Sequence, residues 1–216
     1  MTGVGLLAGL VGPIMFVGGF FILGLYLRPD YRPRYTFASQ LALGRLGRVW
    51  QVANCTAGVL IAVFGFTLQA DFAPDSASWS GGWALVVAGI GFVVFGISKD
   101  DPWLLYPPLT APPWVDRPVT KHGWGHQVGA IIAGAGLLAA HFAFAWHFAS
   151  TGHPWWYAYS VLTGVAFPLV YVLADASALV SGRSTGPLGG NAGLLQKVSM
   201  STSLLWVAML ALRLTV

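Results

Sequence analysis

Four titratable side chains lie inside or at the ends of long apolar stretches, where a polar group is costly and therefore suggests function. An aspartic acid in a poorly solvated place keeps its proton, because burial disfavours the charged form. A neighbouring imidazole can accept or return that proton. These residue types predict general acid chemistry, with either aspartate as the acid and a histidine as its partner: Asp101, Asp175, His122 and His126.

Spacing places some of these groups on shared helix faces. His122 and His126 are four residues apart, as are Tyr171 and Asp175, and such pairs lie on one face of an α-helix. Polar and aromatic side chains near the same ends of the apolar stretches are predicted to surround a substrate, since aromatic faces stabilise cations. These predicted substrate-binding residues are Trp50, Gln51, Asn54, Trp103, Tyr106, Trp124, Phe167, Tyr171 and Lys197.

Each assignment has a structural alternative. Asp100 and Asp101 could simply mark a helix end before a proline, and Asp175 could form a salt bridge with Lys197 or Arg48. The two histidines with Asp101 would offer two nitrogens and one oxygen to a metal. The segment HGWGH, however, lacks the glutamate of a zinc-protease HExxH helix. No metal ion and no cofactor is predicted.

The composition indicates the class of protein in which these residues must be positioned. Of 216 residues, 56% are hydrophobic and only 8% are charged, whereas soluble domains carry about a quarter charged residues. The eleven Lys and Arg residues are scattered between apolar runs rather than clustered, which excludes a nucleic-acid-binding face. The single cysteine, Cys55, excludes an internal disulfide. The chain is therefore predicted to be an all-α, polytopic membrane protein.

Six stretches are long and apolar enough to cross a bilayer, which takes about 20 helical residues. We predict one transmembrane helical domain over residues 1–216. The first stretch begins almost at Met1 and lacks a basic region and a cleavage site, so it is expected to be a retained span. The predicted spans are Gly3–Leu27, Arg48–Gln69, Gly82–Ser98, Gln127–Ala149, Trp155–Val180 and Gly193–Leu214.

Lys and Arg are concentrated in alternate connections between the spans. Ten of the eleven lie in or beside the first, third and fifth connections, and only Arg213 lies elsewhere. Because positive loops stay in the cytoplasm, both termini are predicted to lie outside. The candidate site then faces the cytoplasmic leaflet of the cell membrane.

Two short motifs connect the third and fourth spans to a known family. The run GISKDDPW followed by KHGWGH resembles the bacterial multi-pass family catalogued as domain of unknown function 998. The resemblance implies six spans, an aspartate ending the third span and an HGxxH-like element opening the fourth. Asp101, His122, Gly123 and His126 match that pattern. The family brings no established activity.

The composition and predicted geometry are also similar to small integral-membrane terpene cyclases, although no diagnostic motif of that class is present. The similarity implies an intramembrane enzyme acting on an isoprenoid or other lipid, with proton-initiated cyclisation of a prenyl chain by a buried aspartic acid. Its expected partners are this hydrophobic substrate and membrane lipids.

Two other functional classes stay open. The chain could be a proton-coupled carrier of a small hydrophobic molecule, or a structural subunit whose polar cluster only fixes helix packing. A deep apolar cleft that reaches the cluster would favour the enzyme. A continuous polar path to the outside would favour the carrier, and a self-satisfied cluster without a cavity would favour the structural subunit.

Overall fold

The computed structural model describes residues 2–28, 31–74, 76–101, 119–181 and 190–214. These residues form six long helices and one short 3₁₀ helix, and no strand occurs among them. All six long helices are long and apolar enough to cross a membrane, which confirms the predicted fold class. The helices are α1 Gly3–Tyr26, α2 Gly47–Leu68, α3 Ala77–Ile97, α4 Lys121–Ser150, α5 Pro154–Ser181 and α6 Ala192–Arg213, and the short helix is Ala38–Leu43.

Two helices begin earlier than the apolar pattern suggested. The α3 helix begins at Ala77, where the Ser76 hydroxyl accepts a hydrogen bond from Trp79 N–H. The α4 helix begins at Lys121, where Thr120 Oγ1 accepts from Gly123 N–H at 3.0 Å. Such N-terminal caps satisfy backbone donors that the helix itself cannot. The polar first turns of α4 are therefore helical, although their composition resembles a loop.

The helices pack in chain order and close into a ring. Each helix packs against the next one along the chain, and α6 returns to α1. Small residues allow the closest approaches, as expected in a membrane bundle. A Cβ on Gly58 of α2 would lie 2.7 Å from the Gly89 carbonyl oxygen of α3, and a Cβ on Gly136 of α4 would lie 2.6 Å from Ala88 N. Substitution at these glycines would push α3 away from its neighbours.

One end of the bundle carries most of the polar contacts between elements. This polar end is formed by the C-termini of α1, α3 and α5 and the N-termini of α2, α4 and α6. The connection after α1 folds across it, because Arg34 Nε donates to Asn191 Oδ1 at 2.8 Å. The buried Tyr31 hydroxyl donates to the carbonyl oxygens of Thr36 and Phe37 at 3.1 and 3.2 Å. Burial raises the pKa of Tyr31, so this hydroxyl keeps its proton.

Cysteine labelling tests the proposed orientation of this bundle in the membrane. Thr151 and Arg45 are both exposed and lie at opposite ends. In a Cys55→Ala background, we expect a membrane-impermeant maleimide to label Thr151→Cys on intact cells. Arg45→Cys should react only after the cells are opened, because cation-rich loops stay in the cytoplasm. The reverse labelling pattern would contradict the orientation.

Candidate functional site

A cavity of about 370 Å³ lies inside the polar half of the bundle. Its volume falls within the roughly 300–1,000 Å³ of small-molecule sites. The walls are mainly apolar and aromatic, and include Phe16, Phe92, Phe95, Leu137, Phe167 and Met200. Polar side chains are gathered at the polar end: Ser39, Asp100, His126, Gln127, Tyr171, Asp175 and Gln196. The cavity can therefore hold an apolar chain with its reactive or polar part against these groups.

The cavity reaches the outer surface of the bundle between α4 and α5. Ile131 of α4 and Val172 of α5 both line it, yet these residues are 69% and 63% exposed. In a membrane-spanning bundle, apolar residues exposed at this depth face lipid tails. A hydrophobic molecule can enter sideways from the bilayer without crossing water.

Asp100 and His126 form a buried pair at the polar end of the cavity. Each residue is only 4% exposed. The Ser39 hydroxyl donates to Asp100 Oδ2 at 2.7 Å, and His126 Nε2 lies 3.8 Å from the same oxygen. At that distance the pair forms a salt bridge if the imidazole is protonated. A small movement would bring the nitrogen within proton-transfer distance of the carboxyl group.

The opposite side of the imidazole fixes its tautomer. His126 Nδ1 lies 3.1 Å from the Ser98 carbonyl oxygen. A carbonyl oxygen only accepts, so Nδ1 must carry the hydrogen. The Nε2 atom is then the position that exchanges a proton, and it is the atom that faces Asp100. The Phe95 ring, centred 4.0 Å from the imidazole, holds it in place.

The direction of the chain after α3 separates the two neighbouring aspartates. The helix ends at Ile97, and Ser98 is extended with φ −99° and ψ 121°. Successive side chains of an extended segment point to opposite sides, so Asp100 points inward and Asp101 points toward α4. Asp101 accepts hydrogen bonds from Thr120 N–H at 3.0 Å and from its hydroxyl at 2.7 Å. A carboxylate there also suits the positive end of the helix dipole.

Two α5 residues complete the polar end of the cavity. Tyr171 and Asp175 lie one turn apart and both line the cavity. The Tyr171 hydroxyl interacts with the side chain of Gln196 on α6. Gln196 Oε1 in turn accepts from Ala38 N–H at 2.7 Å. This chain of contacts ties α5 and α6 to the short helix that also carries Ser39.

The family model described as Protein of unknown function (DUF998) matches residues 10–213. The chain belongs to this family. The matched range contains every residue that lines the cavity, and the match confirms the resemblance found in the two motifs. No curated protein and no solved structure matches the chain.

Asp101 and Gly123, which belong to the two short motifs of the sequence, have a clear local role at the start of α4. A Cβ on Gly123 would collide with the Asp101 carboxylate, so glycine leaves the space that this carboxylate occupies. Asp101 and Gly123 together start α4, and this start places His126 over Asp100. Asp101 does not line the cavity, and its bonds to Thr120 make it a positioning residue.

The structure brings together four of the predicted site residues and places others elsewhere. His126, Phe167, Tyr171 and Asp175 line one cavity. His122 and Trp124 are exposed on α4 and do not line it. Gln51 makes only a long contact of 3.5 Å to the Ile97 carbonyl oxygen. Trp50 and Asn54 are buried behind the cavity, and Trp103 and Tyr106 lie outside the described residues.

Lys197 is buried, and its ammonium group binds the connection after α1. Its ammonium donates to the carbonyl oxygens of Pro33, Thr36 and Gly193 at 3.0, 2.8 and 3.1 Å, and it lies over the Tyr31 ring at 5.2 Å. These three bonds use all its donors, and it forms no salt bridge to Asp175.

Within the described ranges, no three His, Cys, Asp or Glu residues are grouped to hold a metal ion.

Four residues at the polar end of the cavity were not among the predicted site residues: Ser39, Asp100, Gln127 and Gln196. Ser39 and Gln196 come from segments 61 or more residues from their neighbours in the site, and no local pattern marks them. Asp100 was left open as one of three aspartates that could be the acid, with a plain helix end as the alternative. The paired aspartates indicate that one carboxylate of an extended pair must point inward, but not which one.

Proposed function

We propose that this protein is an intramembrane enzyme that acts on an isoprenoid or similar lipid chain in the cytoplasmic leaflet of the cell membrane. Its reaction would be proton-initiated cyclisation of a prenyl chain. The supporting observation is an apolar, aromatic cavity that ends at a buried Asp100–His126 pair. A purely structural polar cluster would not need a cavity of this size beside it.

Each step of the proposed reaction can be attributed to a particular side chain. Asp100 donates its carboxyl proton to one carbon of a substrate alkene, so an O–H bond breaks and a C–H bond forms. The resulting carbocation is attacked by a second alkene of the same chain, which forms a C–C bond and closes a ring. A proton is then lost from a neighbouring carbon to the Asp175 carboxylate, which restores a double bond. Before the next turnover Asp175 releases its proton and Asp100 regains one, while His126 Nε2, which carries no hydrogen in this tautomer, faces the Asp100 carboxyl group as an acceptor.

The walls of the cavity suit the charged intermediate. Phe92, Phe95 and Phe167 present aromatic rings to the space that a folded chain would fill. Ring faces attract cations most strongly where water is excluded. They stabilise a carbocation without reacting with it, whereas a hydroxyl or amine would capture it. The gathering of polar groups at one end leaves the rest of the cavity inert.

Product analysis with the purified protein tests the proposal. We expect an aromatic acceptor carrying a farnesyl or geranylgeranyl chain to be converted into an isomer of equal mass and different retention. A saturated analogue is the matched control, because it can bind but has no alkene to protonate. Binding of both compounds without conversion would indicate a lipid-binding protein instead of an enzyme. Absence of binding and conversion would leave the structural role.

A further inference from the structure

Three side chains behind the cavity are buried with polar atoms that have no protein partner. They are Gln40 of the short helix and Trp50 and Asn54 of α2, which are 1%, 0% and 2% exposed. Gln40 Nε2 and Oε1, Trp50 Nε1 and Asn54 Oδ1 make no hydrogen bond in the described part of the chain. Buried polar atoms are nearly always paired, because an unpaired one loses its hydration without compensation.

The contacts of neighbouring residues bring the elements that carry these three side chains together at the polar end of the bundle. Trp50 and Asn54 lie one turn apart on the buried face of α2, and the short helix packs on α2 and α1. A Cβ on Gly96 of α3 would lie 3.0 Å from Asn54 Cβ, so Asn54 lies against the end of α3. Four residues after Gly96, Asp100 accepts from Ser39, which is the chain neighbour of Gln40.

The four atoms are chemically complementary to water. Gln40 Nε2 and Trp50 Nε1 are donors, whereas Gln40 Oε1 and Asn54 Oδ1 are acceptors. None of the three side chains carries a charge, so nothing here would compensate an ion. A buried water typically makes about three hydrogen bonds to polar groups that would otherwise be unpaired. Two donors and two acceptors are what one or two such waters require.

We propose that Gln40, Trp50 and Asn54 enclose a second polar site that binds ordered water and exchanges protons with Asp100 through Ser39. The proton supply rests on the proposed function, since it would reload the acid after each turnover. The site water takes up a proton from solvent and passes a proton to Ser39 Oγ while the Ser39 hydroxyl proton passes to the Asp100 carboxylate, which leaves the water neutral. Each transfer breaks one O–H bond and forms another, so the step needs no further reactant.

Hydrogen–deuterium exchange at two buried tryptophans tests the water site directly. Trp50 and Trp206 are both 0% exposed, but Trp206 Nε1 donates to Ser160 Oγ at 3.0 Å and serves as the matched control. With ¹⁵N-labelled tryptophan in D₂O, we expect the Trp50 indole N–H signal to be lost while the Trp206 signal persists. Trp50→Phe and Trp206→Phe assign the two signals. Equal protection of both would overturn the water site.

A second measurement tests the link to Asp100 without any substrate. The protonated carboxyl group of Asp100 gives an infrared C=O band, which Asp100→Asn identifies by its loss. We expect Asn54→Leu to slow both deuteration of this band and exchange of the Trp50 indole N–H, because leucine displaces the water. Unchanged deuteration, or no Asp100 carboxyl band, would overturn the proton supply. Wild-type Trp50 exchange tests the site even if Asn54→Leu does not fold. If Asn54→Leu slows exchange but the protein cyclises no prenyl chain, the water site is supported and only the enzyme proposal is wrong.

Discussion

Replacing Asp100 by asparagine is expected to lower prenyl-chain turnover by about 10²–10⁴-fold, the usual contribution of general acid catalysis. Asparagine keeps the shape of the side chain and still accepts from the Ser39 hydroxyl, which donates to Asp100 Oδ2 at 2.7 Å. It has no acidic proton to give to an alkene. The fold and ligand binding should therefore persist while the chemical step is lost.

The neighbouring Asp101→Asn substitution is the matched control. It removes one charge from the same dipeptide, but the Asp101 carboxylate binds Thr120 at the start of α4. We expect thermal stability to fall, because helix N-caps contribute about 0.5–2 kcal/mol, and the turnover of folded protein to stay close to wild type. The measurements are product formation and melting temperature in the same detergent. If Asp101→Asn lost turnover and Asp100→Asn kept it, the roles of the two aspartates would have to be exchanged.

The spans could be predicted from the sequence because a bilayer imposes one simple demand. Each crossing needs a continuous apolar helix with internally satisfied backbone groups, and this shows in composition alone. The boundaries were harder where polar residues begin a helix. The first turns of α4, Lys121–His126, are helical because Thr120 caps them, whereas their hydropathy alone suggests a loop.

The site was only partly predictable. The depth of a residue along a span can be inferred from the sequence, but the side to which a residue points just beyond the end of a span cannot. Tyr171 and Asp175 lie well inside α5 on one helix face, and both line the cavity. Asp100 and Asp101 lie just beyond α3, where one residue of extended chain reverses the side to which each carboxylate points. The sequence alone therefore does not indicate which of the two carboxylates points into the bundle.

Long-range contacts were not predictable from one sequence. Lys197 was expected near the substrate because it begins the last span. Instead, three carbonyl oxygens surround its ammonium, two of them from the connection after α1. Ser39 enters the site through the same connection. The folding of residues 31–43 across the polar end thus removes one predicted residue from the site and adds another.

Replacing Gly134 by leucine is expected to block the cavity while stabilising the protein. Gly134 lines the cavity on α4, and a Cβ there would have Phe167 Cζ at 3.8 Å as its nearest neighbour. That is an ordinary contact, so the leucine side chain can extend into the open space without moving a helix. Replacing a mid-helix glycine also removes a helix-propensity penalty of about 1 kcal/mol.

Ligand binding and stability should therefore change in opposite directions. We expect affinity for a prenyl chain to fall roughly tenfold or more, a loss of at least about 1.4 kcal/mol, while the melting temperature rises. Gly18→Leu on α1 is the control, because a Cβ there meets no atom within 4 Å and Gly18 does not line the cavity. It should gain helix stability and bind normally. Normal binding by Gly134→Leu, measured by titration with a fluorescent prenyl analogue, would show that this cavity is not where the chain binds.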